Sequence, residues 1–389
     1  MSYVPRLLES EVERAARHFP AVVLTGPRRS GKTTLLRRLV RGADYVLAED
    51  PAVVARFRAD PHGFLEARRP PVILDEIQNV PEILGYVRAR IDAEPGRKGR
   101  WFLTGSQEAP LMRGVTESMA GRAAILRLMP LSVVESPRVS LFRGGYPEVL
   151  ARPGAADLWF SSYLQTYLER DVRSVANIRD LAQFRRFLQL LASRTGQFLT
   201  RTDLAAPLGI SVPTVSAWIG ILEVTAQILV VPPYFENFGK RLIKSPRIYF
   251  ADSGLACHLL GIASEEELER SPFLGPLFEG FVAAEVVKLQ IGRGRRPEIY
   301  CFRDRQGLEV DLLIPSGHRR LTAVEAKASR TAKPDMADPL LHLSRSMKTY
   351  DVDLRLVHRP TPATMDLTAL RPGVKAVGIE GFLKDLKLS

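Results

Sequence analysis

The sequence predicts an α/β protein built on a mostly parallel sheet, followed by a helical segment, a helix-turn-helix and a second α/β region. Three observations carry that expectation. Between residues 21 and 128, short apolar runs (AVVLTG, DYVLAE, PVILDE, WFLTGS, AAILRL) alternate with helical or loop segments, as parallel strands joined by crossover helices do. Within them VVL, VIL and WFL are continuously apolar, the pattern of strands buried on both faces. A length of 389 residues exceeds one ordinary core and suggests two or three domains. The expected division is a first α/β core over 1–130, a helical lid or connector over 131–195, a winged helix-turn-helix over 196–270 and a last α/β domain over 271–389.

Composition sets the class. Hydrophobic residues make up 46% and charged residues 25%, which fits a globular chain and excludes disorder or fibrous repeats. No apolar run approaches the roughly 18 residues of a membrane span, and Glu9, Glu11 and Glu13 replace a basic-then-apolar leader, so a cytoplasmic protein without a membrane is expected. Cys257 and Cys301 are isolated and read as reduced thiols. A net charge of +12 and a pI near 9.9 attract polyanions and make DNA the default partner. An arginine-rich proteome is the competing source of that charge.

The strongest motif is GPRRSGKT, Gly26 to Thr33, between an expected strand at 21–25 and an expected helix at 34–40. It fits the phosphate-binding P-loop pattern in its proper context. Gly26, Pro27, Arg28, Arg29, Ser30, Gly31, Lys32, Thr33 and Thr34 are therefore the expected ATP cradle. Backbone N–H groups and the helix amino terminus face the phosphates, Lys32 reaches the β- and γ-phosphates, and the Thr33 hydroxyl meets Mg2+. PPVILDE supplies the second element, an apolar strand closing on paired acids. Asp75 is expected to hold Mg2+ through water and Glu76 to orient or deprotonate the attacking water.

A further strand, WFLTGSQ, ends on Thr104, Ser106 and Gln107, and Ser106 is the candidate for contact with the γ-phosphate or its water. LMRGVTESMAGR then offers Arg113 and Arg122 as an arginine supplied from a neighbouring subunit, with Arg122 preferred.

These residues resemble the predicted AAA+ ATPases of bacteria and archaea that pair an AAA-type domain with a carboxy-terminal domain of unknown function. The likeness runs through GPRRSGKTTLL, VILDEIQNVP, FLTGSQ, ESMAGR, GGYPEVL, YLERDV, LFEGFVAAEV, GLEVDLLI and VEAKAS, nearly the whole chain. It implies a five-stranded AAA+ core, self-association into a ring such as a hexamer, the arginine of AGR acting in trans, and Gly145 and Pro147 of GGYP near the adenine.

Between 198 and 231, a helix at 201–208, a Gly209 turn and a second helix from Ser211 or Val212 read as a helix-turn-helix. Thr214, Ser216 and Trp218 lie along the second helix, and Pro213 sits harmlessly in its first turn. The β-rich stretch that follows reads as a wing carrying Lys240, Arg241, Lys244 and Arg247. DNA contact is assigned to Thr214, Ser216, Lys240, Arg241 and Lys244; packing between domains is the alternative use of the same helices.

In the last region Glu279 lies on an expected helix, Asp311 in EVDLLI, and Glu325 and Lys327 in AVEAKAS. Alternation puts Glu325 and Lys327 on one strand face, beside Asp311 on the neighbouring strand. This arrangement resembles the PD-(D/E)xK fold of restriction-endonuclease-like proteins, with Glu279, Asp311 and Glu325 as metal ligands and Glu285 competing with Glu279. The composite expectation is a ring-forming AAA+ ATPase that remodels or translocates branched or unwound DNA. The alternatives are an ATP-dependent regulatory switch and an ATP-regulated, Mg-dependent nuclease.

Overall fold

A computed structural model describes residues 3–105, 119–168, 180–234, 245–361 and 369–388. The five apolar runs are strands β1 (Ala21–Thr25), β2 (Asp44–Leu47), β3 (Val72–Asp75), β4 (Trp101–Thr104) and β5 (Ala123–Arg127). They form one sheet in the order β2-β3-β4-β1-β5, parallel throughout. Alternation explains why the runs are apolar on both sides. Val22 and Leu24 pack with Leu8, Val12, Leu35 and Leu36 of helices α1 (Glu9–His18) and α2 (Lys32–Leu39). Ala21 and Val23 pack on the opposite face with Phe57, Phe64 and Val87 of α3 (Pro51–Ala59), α4 (Pro61–Glu66) and α5 (Ile83–Ala93). Helix α2 begins at Lys32, two residues before the expected start at Thr34.

Helices α6 (Pro147–Ala151), α7 (Ala156–Tyr163) and α8 (Leu181–Ser193) follow, with a π-helical turn over Leu164–Leu168. Helices α9 (Arg201–Leu208) and α10 (Val212–Val224) cross at 111°. Gly209 makes the turn between them at φ 62, a left-handed conformation that a residue without Cβ adopts freely. The Ser211 side chain accepts from Thr214 N–H and caps α10. Strands β6 (Ile228–Val231) and β7 (Arg247–Phe250) then pair antiparallel as a ribbon, and α11 (Ser253–Leu259) and α12 (Glu265–Arg270) lead to α13 (Leu274–Gly292).

The last region is a sheet of strands β8 (Tyr300–Arg303), β9 (Glu309–Gly317), β10 (Arg320–Ala326), β11 (Asp351–His358), β12 (Ala369–Arg371) and β13 (Val374–Gly378), in the order β12-β13-β11-β10-β9-β8. Leu340 and Leu343 of α14 (Asp338–Ser346) pack on Leu321, Ala323 and Leu356 of one face. The other face meets α13 and α15 (Ile379–Asp385) through Val324, Val357, Val286 and Phe382. That second core is continuous with the helical middle, since Phe187, Trp218, Leu222 and Tyr249 belong to it. The segments expected as lid, winged helix and last domain therefore share one core. The ribbon also bonds the sheet edge: Cys301 N–H donates to Pro232 O and Tyr234 N–H to Cys301 O, each at 2.9 Å. Among the described residues no single helix is long and apolar enough to cross a membrane.

Candidate functional site

The carboxyl ends of parallel strands open a crevice where crossover chains diverge, and ligands of open α/β sheets bind there. Here a cleft of about 760 Å³ is lined by Arg28 through Thr34, by Asp75 and Glu76, and on its far side by Tyr3, Leu131, Pro147 and Arg152. Gly26, at φ 130, leaves β1 so close to the Leu128 carbonyl that a Cβ would stand 2.2 Å from that oxygen. Arg29 at φ 60 and Gly31 at φ 99 are left-handed turns in the loop, the backbone conformation from which anion-binding nests are built. Lys32 is 5% exposed, and its ammonium donates to Gly26 O and Pro27 O at 2.9 Å. The Ser30 hydroxyl is buried without a hydrogen-bond partner among the described residues. A nest, a lysine and an unsatisfied hydroxyl fit a polyphosphate.

Asp75, 3% exposed, ends β3 beside this loop. Its Oδ2 accepts from the Thr33 hydroxyl at 2.8 Å and the Tyr45 hydroxyl at 2.6 Å, and its Oδ1 from the Thr104 hydroxyl. Burial, then the hydrogen bond to Asp75, raises the Tyr45 pKa well above its ordinary value, so this phenol stays a donor. All three donors are neutral, and a threonine hydroxyl beside an aspartate carboxylate fits a magnesium ion. Glu76 stands at φ 58, left-handed for a non-glycine residue. Its N–H donates to the Thr104 hydroxyl at 3.2 Å, and its carboxylate accepts from the Gln78 amide.

Of the other expected site residues, Pro147 lines the cleft. Gly145 stands behind it: its N–H donates to Asp252 at 2.7 Å, and a Cβ there would lie 2.0 Å from Leu131 O. Arg122 is away from its own cleft, at the amino-terminal end of β5, in a two-pronged pair with Asp92 at 2.6 and 3.1 Å. Ser106, Gln107 and Arg113 lie outside the described residues, as do Lys240, Arg241 and Lys244.

Residues without any motif tie the cleft to the rest of the chain. Arg6 donates to Ser30 O at 2.9 Å, to Met129 O at 2.6 Å and to Glu135 at 3.1 Å, so one buried guanidinium joins the phosphate loop to the exit of β5. On α13, Glu285 accepts from Val133 N–H at 2.8 Å, and Lys288 donates to Leu131 O at 3.1 Å and to Glu285 at 2.8 Å. Glu285, an alternative metal ligand by sequence, is thus occupied with the linker leaving the first core. The reason is angular: six residues from Glu279 is about 120° round the helix.

On α10, Trp218 is buried and stacks edge-on against Phe184 and Phe187 at 5.1 Å, so it is core. Thr214 bonds the Ser211 cap at 2.8 Å, and the Ser216 hydroxyl turns back to Val212 O at 3.0 Å. The helix itself carries no Lys or Arg.

At the edge of the last sheet the structure brings Glu279, Asp311, Glu325 and Lys327 together, and adds Arg247, expected on an exposed wing. Arg247 is 3% exposed and points inward from β7. Its Nη1 lies 2.9 Å from Asp311 Oδ1 and 3.6 Å from Glu279, and its Nη2 pairs with Glu309. The second oxygen of Asp311 accepts from Ala326 N–H at 2.9 Å, and Glu325 Oε1 from Lys327 at 2.6 Å. Burial, then the Asp311 charge, pushes the Glu279 carboxyl up to about 8 and the Glu325 carboxyl up to about 7. Among the described residues no three His, Cys, Asp or Glu side chains are grouped to hold a metal. As arranged, this donor set does not fit a divalent cation.

Residues 18–136 match the model of an AAA domain, 135–266 a domain of unknown function (DUF8612) and 274–378 another (DUF4143). The uncharacterized protein Rv2008c of Mycobacterium tuberculosis and its counterpart Mb2031c of Mycobacterium bovis are each 33% identical over 356 residues, 89% of this chain and 77% of theirs. Among solved structures, the Walker-type ATPase paby2304 of Pyrococcus abyssi is similar at 15% identity and a TM-score of 0.43, over 64% of this chain and 94% of that one. The signal transduction ATPase PH0952 of Pyrococcus horikoshii, with a tetratricopeptide repeat sensor, gives 13% identity and a TM-score of 0.23, over 75% of this chain and 47% of that one.

Proposed function

The chain belongs to the AAA-type P-loop ATPases that end in a DUF4143 domain, and on that premise we propose that it hydrolyses ATP as a nucleotide-dependent switch. The observation that carries the hydrolytic reading is the convergence of the Thr33, Tyr45 and Thr104 hydroxyls on Asp75 at the lip of the phosphate nest. Backbone N–H groups of the loop cradle the phosphates, and the Lys32 ammonium turns from its own loop carbonyls to the β- and γ-oxygens. Thr33 and Asp75 would hold Mg2+, which when bound supplies charge neutralisation at the transferring phosphoryl group. Glu76, fixed by Thr104 and Gln78, orients the attacking water and takes its proton. In a ring of subunits, Arg122 leaves Asp92 for a neighbour's γ-phosphate.

The switch reading rests on how the cleft is joined to the rest. Arg6 ties Ser30 to Glu135, and Glu285 with Lys288 ties Val133 and Leu131 to α13. A phosphate-dependent shift of the loop is thereby passed to the shared core, where α10 offers no cation to a DNA backbone. The second reading, a ring that remodels or translocates DNA, is favoured by the net charge of +12. The deciding experiment is the ATPase rate alone and with duplex, single-stranded, forked and four-way DNA, with mass by light scattering with and without ATP. A basal rate that DNA leaves unchanged, abolished by Glu76→Gln with ATP retained, supports the switch. Stimulation with strand displacement supports the motor, and no ATP turnover under any condition defeats both.

A further inference from the structure

The carboxylates at the edge of the C-terminal sheet gather as a metal-dependent nuclease would gather them, but their contents differ. We propose that this cluster is a guanidinium site: Arg247, delivered by ribbon strand β7, takes the position a divalent cation would hold and clamps the ribbon to the sheet. The inference stands independently of the nucleotide cleft.

Arg247 is within ion-pair distance of Glu279 and Asp311 and pairs with Glu309, so three carboxylates from α13 and β9 converge on one side chain. A hard cation needs about six oxygen ligands at roughly 2.0–2.6 Å. Asp311 already faces a fixed cation, because Arg247 engages Oδ1, while Ala326 N–H engages Oδ2. Glu325 keeps one oxygen, Oε2, buried without a hydrogen-bond partner, while Lys327 holds the other. Carboxylates that already face the fixed cations Arg247 and Lys327 do not make a metal site.

Arginine is suited to this permanent role. Its planar fork meets carboxylates pairwise, and it is not deprotonated in proteins. Burial opposes its charge, but Tyr249, Asp311 and Glu279 more than restore it, raising its pKa. The ring of Phe198 covers the guanidinium at 5.0 Å, closing off solvent. Backbone bonds between Pro232, Tyr234 and Cys301 hold the ribbon at the same edge. The adjoining cleft, about 830 Å³, is lined by Asp304, Glu309 and Asp338 among others, a field that repels phosphodiesters.

The test is Mn2+ binding to the nucleotide-free full chain, read by electron paramagnetic resonance and by the melting temperature. Wild type is expected to show no Mn2+ site sensitive to Glu325→Gln. Arg247→Met is expected to gain such a site, tightened by roughly a hundredfold or more once the adjacent unit charge is gone, and Mn2+ should raise its depressed melting temperature. The gain disappears in Arg247→Met with Glu325→Gln. A wild-type Mn2+ site abolished by Glu325→Gln overturns the proposal, as does a folded Arg247→Met that gains none. Should Arg247→Met not fold, the wild-type and Glu325→Gln titrations decide alone.

Discussion

The chain holds two clusters of carboxylates against its sheets, and they differ in what faces them. Asp75 in the first sheet is surrounded by neutral hydroxyls, from Thr33, Tyr45 and Thr104. Asp311 in the second is met by the guanidinium of Arg247. Hydroxyl donors fix the orientation of a carboxylate and leave its charge to act on something else, whereas a buried cation consumes that charge. One arrangement is suited to chemistry and the other to holding pieces together, although both are built on acids of apolar strands.

The comparison breaks most visibly through activity. Glu76→Gln is expected to lower the ATPase rate by up to about ten-thousandfold while ATP still binds, measured by phosphate release and by nucleotide retention. If the two clusters differ as described, stability answers in the opposite sense. Arg247→Ala strands buried carboxylates and should cost about 3–5 kcal/mol by denaturant unfolding. Asp75→Asn, which keeps one acceptor oxygen for the hydroxyls, should cost less, about 1–2 kcal/mol, in the same measurement. A smaller effect sharpens the first cluster: Tyr45→Phe removes one of three donors and should cost about 1 kcal/mol, read as a rise in the Mg2+ concentration for half-maximal ATPase with kcat nearly kept. The loss of kcat instead would make Tyr45 part of the chemistry.

The gentlest probe is pH. Burial lifts Glu279 from an ordinary 4.5 to about 8 and Glu325 to about 7. A carboxyl whose folded pKa is raised binds its proton more tightly in the native state, so its contribution is full below 4.5 and is lost as pH rises through 7 and 8. The melting temperature should therefore fall across that interval, and less so in Glu279→Gln.

How much of this was readable in the sequence follows from locality. GPRRSGKT and the acids of PPVILDE are contiguous, and the strand–loop–helix order around them fixes their surroundings, so the first cluster's acids and Thr33 were visible. Tyr45 was not, because it reaches Asp75 only when β2 lies beside β3 with Leu47 opposite Asp75. Alternation in DYVL then puts the tyrosine on the aspartate's face, a signal that exists only once strand order is known. In sequence, Arg247 reads as part of a basic wing with Lys240, Arg241 and Lys244. In RIYF all four residues are buried, which no alternating pattern announces. Arg6 lies outside any motif, and its partners are 24 and more positions away. The helix-turn-helix pair was legible from Gly209 and Ser211, local turn and cap signals, while the destination of Trp218 was decided by packing against Phe184 and Phe187.

Helix α13 carries one further consequence. Its Glu285 and Lys288 are buried and bonded to the backbone of Val133 and Leu131 in the upstream linker. The Pro- and Gly-bearing stretch just before the helix, SPFLGP, invites truncation there, yet a fragment starting at that point would expose this ion pair together with Phe281, Val282 and Val286. Such a fragment should aggregate when produced alone, and structural or binding work on the carboxy-terminal third is best done with the upstream residues retained.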